Sequence, residues 1–264
     1  MFQTVHYQIQ SNKIKSDVTV VMLADLHNQS YGEENEILLK EIRKHSPDFV
    51  CIAGDMLIGH TQIPYEAGQR TVLDLAKEYQ VLYGLGNHEA RMRLQTSIYG
   101  KKYETYMKPI EEAGVKVLVN ECTEFKINEN KFTVYGYDLP LKYFEKFNHY
   151  VFEEKQVEDV LGKCEKNDGY QILLAHNPVY FKQYAAWGAD LTLSGHLHGG
   201  IIRLPFIGGV ITPQAKLFPR YSAGKYKIGE KTMIVSRGLG THTIPIRFNN
   251  KPELSVIHLS PVSH

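Results

Sequence analysis

Hydrophobic and polar positions along the chain repeat one arrangement. Val18-Thr19-Val20-Val21-Met22-Leu23 is almost wholly apolar and β-branched, as in a strand buried on both faces, and it stops at the polar cluster Asp25-Leu26-His27-Asn28. Segment 33–45 follows with Ile37, Leu38 and Ile42 at helical spacing, and Pro47 blocks its continuation. The run 48–55 repeats the form of the first strand and ends on Gly54-Asp55. A helical stretch over 64–79 leads to 80–89, a third strand that ends in Gly86-Asn87-His88-Glu89. Three strand–helix units in succession predict a parallel sheet, and in such sheets ligands bind beyond the carboxyl ends of the strands. The three polar clusters should therefore meet in space.

The second half changes character. A helix is expected over 99–113, followed by short segments 115–119, 123–127 and 131–137 read as antiparallel strands joined by tight turns such as Asn128-Glu129-Asn130. A helix near 151–164 precedes strand 170–176, which ends on His176; a short helix 178–186 precedes 190–200, which again runs from strand into His196 and His198. Strands are expected near 225–228, 231–235 and 253–258. Segment 203–224, rich in Pro, Gly and aromatic residues, reads as a long irregular connection of the kind that often carries function. No internal repeat, low-complexity linker or domain boundary interrupts the chain, so residues 1–264 are expected to form one domain.

Composition narrows the function classes. With 264 residues, 43% of them hydrophobic and 22% charged, the chain is globular rather than disordered. Thirty Lys and Arg against 29 Asp and Glu leave no global basic field for nucleic acid, and the 17 tyrosines show no spacing of a stacking platform. No apolar run is long enough for a membrane helix, and the N-terminus has no basic segment followed by an apolar stretch. Three separated cysteines, Cys51, Cys122 and Cys164, argue against a disulfide framework and a CxxC zinc site. A cytoplasmic location is the simplest expectation.

The chemistry concentrates at five strand ends: Asp25 and His27; Asp55; Asn87 and His88; His176; His196 and His198. The i,i+2 pairs Asp25/His27 and His196/His198 would point the same way on extended backbone. Imidazole, carboxylate and amide donors together suit Mn, Fe, Co, Ni or Zn better than Ca. The remaining histidines are read as surface or packing residues, with His242 set apart because it follows a glycine-rich loop.

Asp25-Leu26-His27, Gly54-Asp55, Gly86-Asn87-His88-Glu89, Ala175-His176 and Gly195-His196-Leu197-His198-Gly199-Gly200 resemble, in order, the five blocks of calcineurin-like metallophosphoesterases. The stretch 198–209 and the loop Ser236-Arg237-Gly238-Leu239-Gly240 are similar to a bacterial branch whose members act on UDP-diacylglucosamine or other cell-envelope substrates. The resemblance implies an α/β fold of four layers, α/β/β/α, with two facing mixed β-sheets and a dinuclear metal site at the strand ends. It implies two divalent transition-metal ions, Mn, Fe or Zn. Asp25, His27, Asp55 and His198 would hold the first and Asp55, Asn87, His176 and His196 the second, with Asp55 bridging. A hydroxide between the ions would attack a phosphate mono- or diester; the alternative is a pyrophosphohydrolase of a lipid-linked or nucleotide-sugar substrate. A scaffold that has lost activity fits less well, because no ligand position is lost.

His88 would be the catalytic imidazole, stabilising phosphoryl charge or protonating the leaving group. Glu89 is read as a weaker candidate support of that turn. One departure stands out: the family's second block usually carries a second Asp that orients this histidine, and here that position is Ile58. Arg203, Arg237 and His242 are candidate substrate-phosphate contacts, with salt bridging inside the fold the alternative for the arginines. Within 204–211, the apolar residues Leu204, Phe206 and Ile207 either cap the second sheet or form an apolar wall that meets an acyl chain or a membrane. Relatives often carry an upstream anchor or export segment, so a membrane-anchored or exported protein is the alternative expectation if one precedes this chain.

Overall fold

The computed structural model describes residues 1–145, 150–164, 169–200, 202–204, 208–211, 219–241 and 247–262. In chain order its elements are β1 (Gln3–Gln10), β2 (Val18–Leu23), α1 (Glu36–Lys44), β3 (Phe49–Ala53), α2 (Glu66–Ala76), β4 (Val81–Gly84), α3 (Asn87–Leu94), α4 (Thr96–Tyr99), α5 (Lys102–Glu112), β5 (Lys116–Leu118), β6 (Glu121–Ile127), β7 (Asn130–Gly136), α6 (Glu154–Leu161), β8 (Tyr170–Leu174), α7 (Phe181–Trp187), β9 (Leu191–Ser194), β10 (Ile202–Leu204), β11 (Gly208–Ile211), β12 (Gly224–Ile228), β13 (Lys231–Val235) and β14 (Glu253–Ser260).

They build two mixed six-stranded sheets. The first has the order β1-β14-β2-β3-β4-β5, with β2 to β5 parallel and β14 antiparallel to β2. The second has the order β12-β13-β9-β8-β7-β6, parallel from β13 to β7 and antiparallel at both edges.

The continuous apolar character of β2 follows from its place between two cores. Side chains alternate along a strand. Val20 and Met22, with Phe49, Cys51 and Leu82, face Phe132, Val134, Ile172, Leu174, Leu193 and Ile234 of the second sheet. Val21 and Leu23, with Val50, Ile52 and Tyr83, pack beneath α1, α2 and α5 through Leu38, Ile42, Val72, Leu75, Tyr106 and Ile110. On the far side Tyr135 and Leu173 pack against Val157 of α6 and Tyr184 and Trp187 of α7. The layers are therefore α/β/β/α, as expected.

Two expectations need correction, and one strand is added to the sequence reading. Segment 115–119 is not part of an antiparallel set: β5 pairs in parallel with β4 and closes the first sheet. The βα rhythm simply runs through a fourth strand, and the chain changes sheets at Asn120, whose φ of 58° makes the sharp turn. Only β6 and β7 form the hairpin. Segment 203–224 is not wholly irregular, because β10 and β11 pair antiparallel with a register shift after Ile202. The N-terminal strand β1, which carries no strong apolar pattern, pairs in parallel with β14 along its whole length. No helix of the described residues is long and apolar enough to cross a membrane.

Candidate metal centre

Five strand ends converge where the two sheets meet. Asp25 and His27 follow β2, Asp55 follows β3, Asn87 and His88 open α3 directly after β4, His176 follows β8, and His196 and His198 follow β9; all are buried. The chain reaches this arrangement by leaving the extended conformation. Asp25, His27, Asp55, His196 and His198 all have φ between 47° and 72°, the left-handed region that non-glycine residues seldom occupy. The extended backbone assumed for the two i,i+2 pairs is therefore corrected. The kinks are held by backbone bonds between loops: Asp25 N–H to the Gly54 carbonyl at 3.0 Å, His27 N–H to the Asp55 carbonyl at 3.1 Å, and Gly195 N–H to the His176 carbonyl at 3.0 Å. Each kink costs on the order of 1–3 kcal/mol and persists because the surrounding fold imposes it.

Glycine makes the approach feasible. A Cβ on Gly86 would lie 2.1 Å from Asp55 Oδ1, and one on Gly54 would lie 2.3 Å from the Gly86 nitrogen. The Gly-Asp and Gly-Asn-His blocks thus carry glycine because the two loops touch backbone to backbone.

The donors fall into three groups of ligand atoms within reach of one cation: Asp25, His27 and His198; Asp55, His176 and His196; and His27, Asp55 and His88. His196 and His198, although neighbours, face different groups. His27 Nε2 and His198 Nε2 lie 3.1 Å apart, and His176 Nε2 lies 3.0 Å from Asp55 Oδ2. Asn87 Oδ1 is buried and has no hydrogen-bond partner among the described residues. An orphaned buried carbonyl oxygen is costly unless something binds it. Together with the buried carboxylates and imidazoles, it fits divalent cations rather than a purely structural network.

The electrostatics point the same way. Burial raises the Asp25 carboxyl to about 7, with the Asp55 charge adding to it and His176 opposing. Asp55 meets the same burial penalty, but neighbouring imidazoles, first the charge and hydrogen bond of His176, outweigh it and hold its carboxyl well below the usual range. Burial lowers His176, yet Asp55 and Asp25 more than compensate and raise it to about 10. Burial and His176 together push His196 far down. Burial and mutual charge thus drive two adjacent acids, and two adjacent imidazoles, in opposite directions.

His88 is positioned without the usual carboxylate. The Gly59 N–H, one residue after Ile58, donates to His88 Nδ1 at 2.8 Å, and the His88 N–H donates to Asp55 Oδ1 at 2.8 Å. Because Nδ1 accepts, the neutral ring carries its proton on Nε2. Glu89 does more than the sequence suggested. Its carboxylate accepts from the backbone N–H groups of Asp55 (3.0 Å), Met56 (2.9 Å) and Gly86 (3.1 Å) and from the Tyr83 hydroxyl (2.8 Å).

Several residues at the centre have no counterpart in the sequence reading. Arg247 sits behind His198, with Nη2 3.3 Å from His198 Nδ1, and donates to the carbonyls of Arg237, Gly238 and Gly240. Asn250 donates to the carbonyls of His198 and Gly200, both at 2.6 Å. Phe144 places its ring edge-on to His196, with centroids 4.9 Å apart. All three lie outside the five blocks, so neither motif nor periodicity marks them. Arg203 donates to the Gly199 carbonyl (3.1 Å) and Ser222 Oγ (3.3 Å), and Arg237 lies 3.3 Å from the buried Glu253 carboxylate. His242, Phe206 and Ile207 lie outside the described residues.

Comparison with known proteins agrees with this geometry. The model of the calcineurin-like phosphoesterase family matches residues 18–200. The chain is similar to the uncharacterized metallophosphoesterase YkuE of Bacillus subtilis (27% identity, covering 98% of this chain and 86% of YkuE) and to the phosphodiesterase YaeI of Escherichia coli (24% identity, 91% and 81%). Among solved structures, the fold is shared with the Plasmodium inner membrane complex anchor GAP50 (TM-score 0.50, 13% identity, 93% of this chain and 82% of that one) and with Haemophilus influenzae NAD nucleotidase (TM-score 0.50, 14% identity, 84% and 45%). Through its 18–200 core and the donor clusters that core assembles, the chain belongs to the calcineurin-like phosphoesterase family and is a metal-dependent phosphoester hydrolase.

Proposed function

We propose that the enzyme hydrolyses phosphodiesters. Asp25, His27, Asp55 and His198 hold one divalent cation, and Asp55, Asn87, His176 and His196 hold a second. The observation that carries this reading is that Asp55 belongs to two of the three donor groups and His27 links it to the third, with the unsatisfied Asn87 oxygen also buried at the centre. Bound there, the cations supply Lewis acidity toward phosphoryl oxygens and an activated water. The donor set suits Mn, Fe or Zn.

The chain's own residues supply the rest. His88, with Nδ1 tied to the Gly59 N–H, presents Nε2–H as a fixed neutral donor for a phosphoryl oxygen. A neutral imidazole is a poor acid, so this arrangement favours charge stabilisation over protonation of the leaving group. Phe144, half-buried beside His196, forms an apolar side wall. A monoester offers no second organic group to meet that ring, whereas a diester does, and the name of the E. coli relative supports the same choice. The ring also favours, as second reading, a pyrophosphate that bears a lipid or nucleoside group, the substrate class suggested by the 198–209 stretch. Leu204, 39% exposed, is the described residue of that stretch that offers apolar surface for such a group or a membrane. Arg203 and Arg237 brace the ligand loop in this reading. Residues 1–264 act as one domain, since β1 and β14 complete the first sheet.

A panel of aryl phosphate, bis-aryl phosphate and pyrophosphate substrates, run on metal-analysed enzyme, tests the proposal. Higher kcat/KM on the diester is expected. A preference for the monoester overturns the diester assignment. Full metal content with no turnover on any of them overturns the reading as a whole.

A further inference from the structure

A second group of histidines lies at the other end of the first sheet. His6 of β1 and His258 of β14 are diagonal neighbours on one face, since Gln8 is the register partner of His258. Their rings are parallel to within 3°, and His6 Nδ1 and His258 Nε2 are hydrogen-bonded at 2.9 Å, so one of the two rings must change tautomer before both nitrogens can meet a cation. His45, which caps the C-terminus of α1, meets His6 edge-on with centroids 5.1 Å apart. The buried Nε2 of His45 faces Glu41 Oε1 at 3.5 Å, a long contact. His258 pairs with Thr19 at the start of β2, whereas the phosphoesterase centre lies beyond that strand's end. Six residues of extended chain separate the two places by roughly 20 Å.

We infer that His6, His45 and His258, with Glu41, form a separate site for one transition-metal cation of the zinc, copper or nickel class. Two metal–nitrogen bonds of about 2.0–2.1 Å, set between a right angle and a tetrahedral angle, hold their nitrogens about 2.9–3.3 Å apart. The His6–His258 separation meets that span, as does the 3.1 Å between His27 and His198 in the phosphoesterase centre. Imidazole is the ligand these cations prefer, and only the neutral ring can bind. Burial, with His6 and His45 beside it, lowers His258 and keeps it in that form; Asp17 opposes weakly. As placed, His45 does not share one cation's reach with the pair, so cation binding requires its ring, at the end of α1, to turn and bring the third nitrogen in. A cation there would tie the edge strand β1 to β14 and to α1.

The test is zinc binding to the metal-loaded enzyme, comparing wild type with His6→Gln and His258→Gln. Wild type should take up one zinc per chain more than either variant, and zinc should shift the ring nitrogen resonances of His6 and His258. Removing even an outer partner of a metal ligand weakens affinity about 10–100-fold, so loss of a ligand should cost at least that. Phosphodiester turnover should be unchanged, and zinc should raise the Tm of wild type more than that of either variant. His6 is exposed, so His6→Gln should fold normally. Equal zinc content in wild type and both variants overturns the site, as does an extra zinc that disappears only with Asp55→Ala.

Discussion

The loops leaving β2, β3 and β4 support one another through several bonds, whereas the donors leaving β8 and β9, joined to each other by the Gly195–His176 backbone bond, take their side-chain anchors from across the interface. On the first sheet, Glu89 gathers three backbone N–H groups from the β3 and β4 loops, and Asp55 receives the His88 N–H. On the second sheet, His176 Nδ1 pairs with the Ala53 carbonyl at 2.6 Å, and the His196 N–H donates to the Asp25 carboxylate at 3.0 Å. Both of those anchors belong to the first sheet. One sheet thus builds a frame and the other leans on it. Damage to the frame should therefore spread to both halves of the centre, and damage to a leaning ligand should stay local.

The most severe break is Asp55→Ala. It removes the carboxylate that receives His88 N–H and lies 3.0 Å from His176; with His27, it is one of two donors found in two of the three ligand groups, and the one carboxylate among them. Activity should fall to the detection limit, and metal analysis should show loss of both cations. His196→Ala should lose only one. Retention of two cations per chain in Asp55→Ala would sink the shared role.

His88→Ala sharpens the comparison because His88 belongs to the frame yet donates no assigned ligand. Metal content should hold while kcat falls by about 10²–10³, the usual cost of one preorganised donor to phosphoryl charge. The fall should be the same for aryl esters with good and poor leaving groups, since the ring held by Gly59 acts as a donor and not as an acid. A loss that grows steeply as the leaving group worsens would return the acid role to His88.

A smaller effect is expected of Gly86→Ala. The added methyl would meet Asp55 Oδ1 and its nitrogen, so the β3 and β4 loops must part. Such overpacking costs about 1–3 kcal/mol. Denaturant unfolding should show that loss together with weaker binding of both cations. Unaltered metal affinity would mean that the loops part without moving Asp55.

How far the sequence reveals this division depends on the kind of signal. Strands β2, β3 and β4 are readable because burial on both faces leaves them apolar throughout, and the polar residues that end them are therefore conspicuous. The edge strand β1 alternates polar residues such as His6, Gln8 and Gln10 with Tyr7 and Ile9, and short alternation of that kind is weak evidence beside a solvated loop. β5 misleads because Val115–Val119 sits close in sequence to a true hairpin, and only the sheet order shows that it closes the other sheet. Within the centre, residue types announce the donors, but the left-handed φ values that aim them arise from contacts between loops distant in sequence. Arg247, Asn250 and Phe144 reach the centre by tertiary packing alone. The replacement of a side-chain carboxylate by the Gly59 N–H is invisible for the same reason: a backbone donor has no residue identity.

The smallest effect concerns Glu89, the hub of the frame. Burial, with the nearby Asp55 charge, raises its carboxyl from 4.5 to about 7, against the bonds from Tyr83 and the backbone. An acid whose pKa is raised on folding binds more protons in the native than in the unfolded chain between those two values. Stability then falls as pH rises through that window. Asp25, raised to about 7 by burial and Asp55, acts in the same sense, whereas His196, pushed far down, acts in the opposite sense below its ordinary value of 6.5. Comparison with Glu89→Gln isolates the Glu89 share. In chelator, wild type should lose stability from pH 5 to pH 8 by on the order of 1–3 kcal/mol more than Glu89→Gln does, read as the shift in urea midpoint. Divalent cations should shrink that difference, because positive charge near Asp55 removes one of the two causes of the shift. Parallel pH profiles for the two proteins in chelator would show that Glu89 stays ionised across the window, and that the frame holds a carboxylate rather than a carboxylic acid.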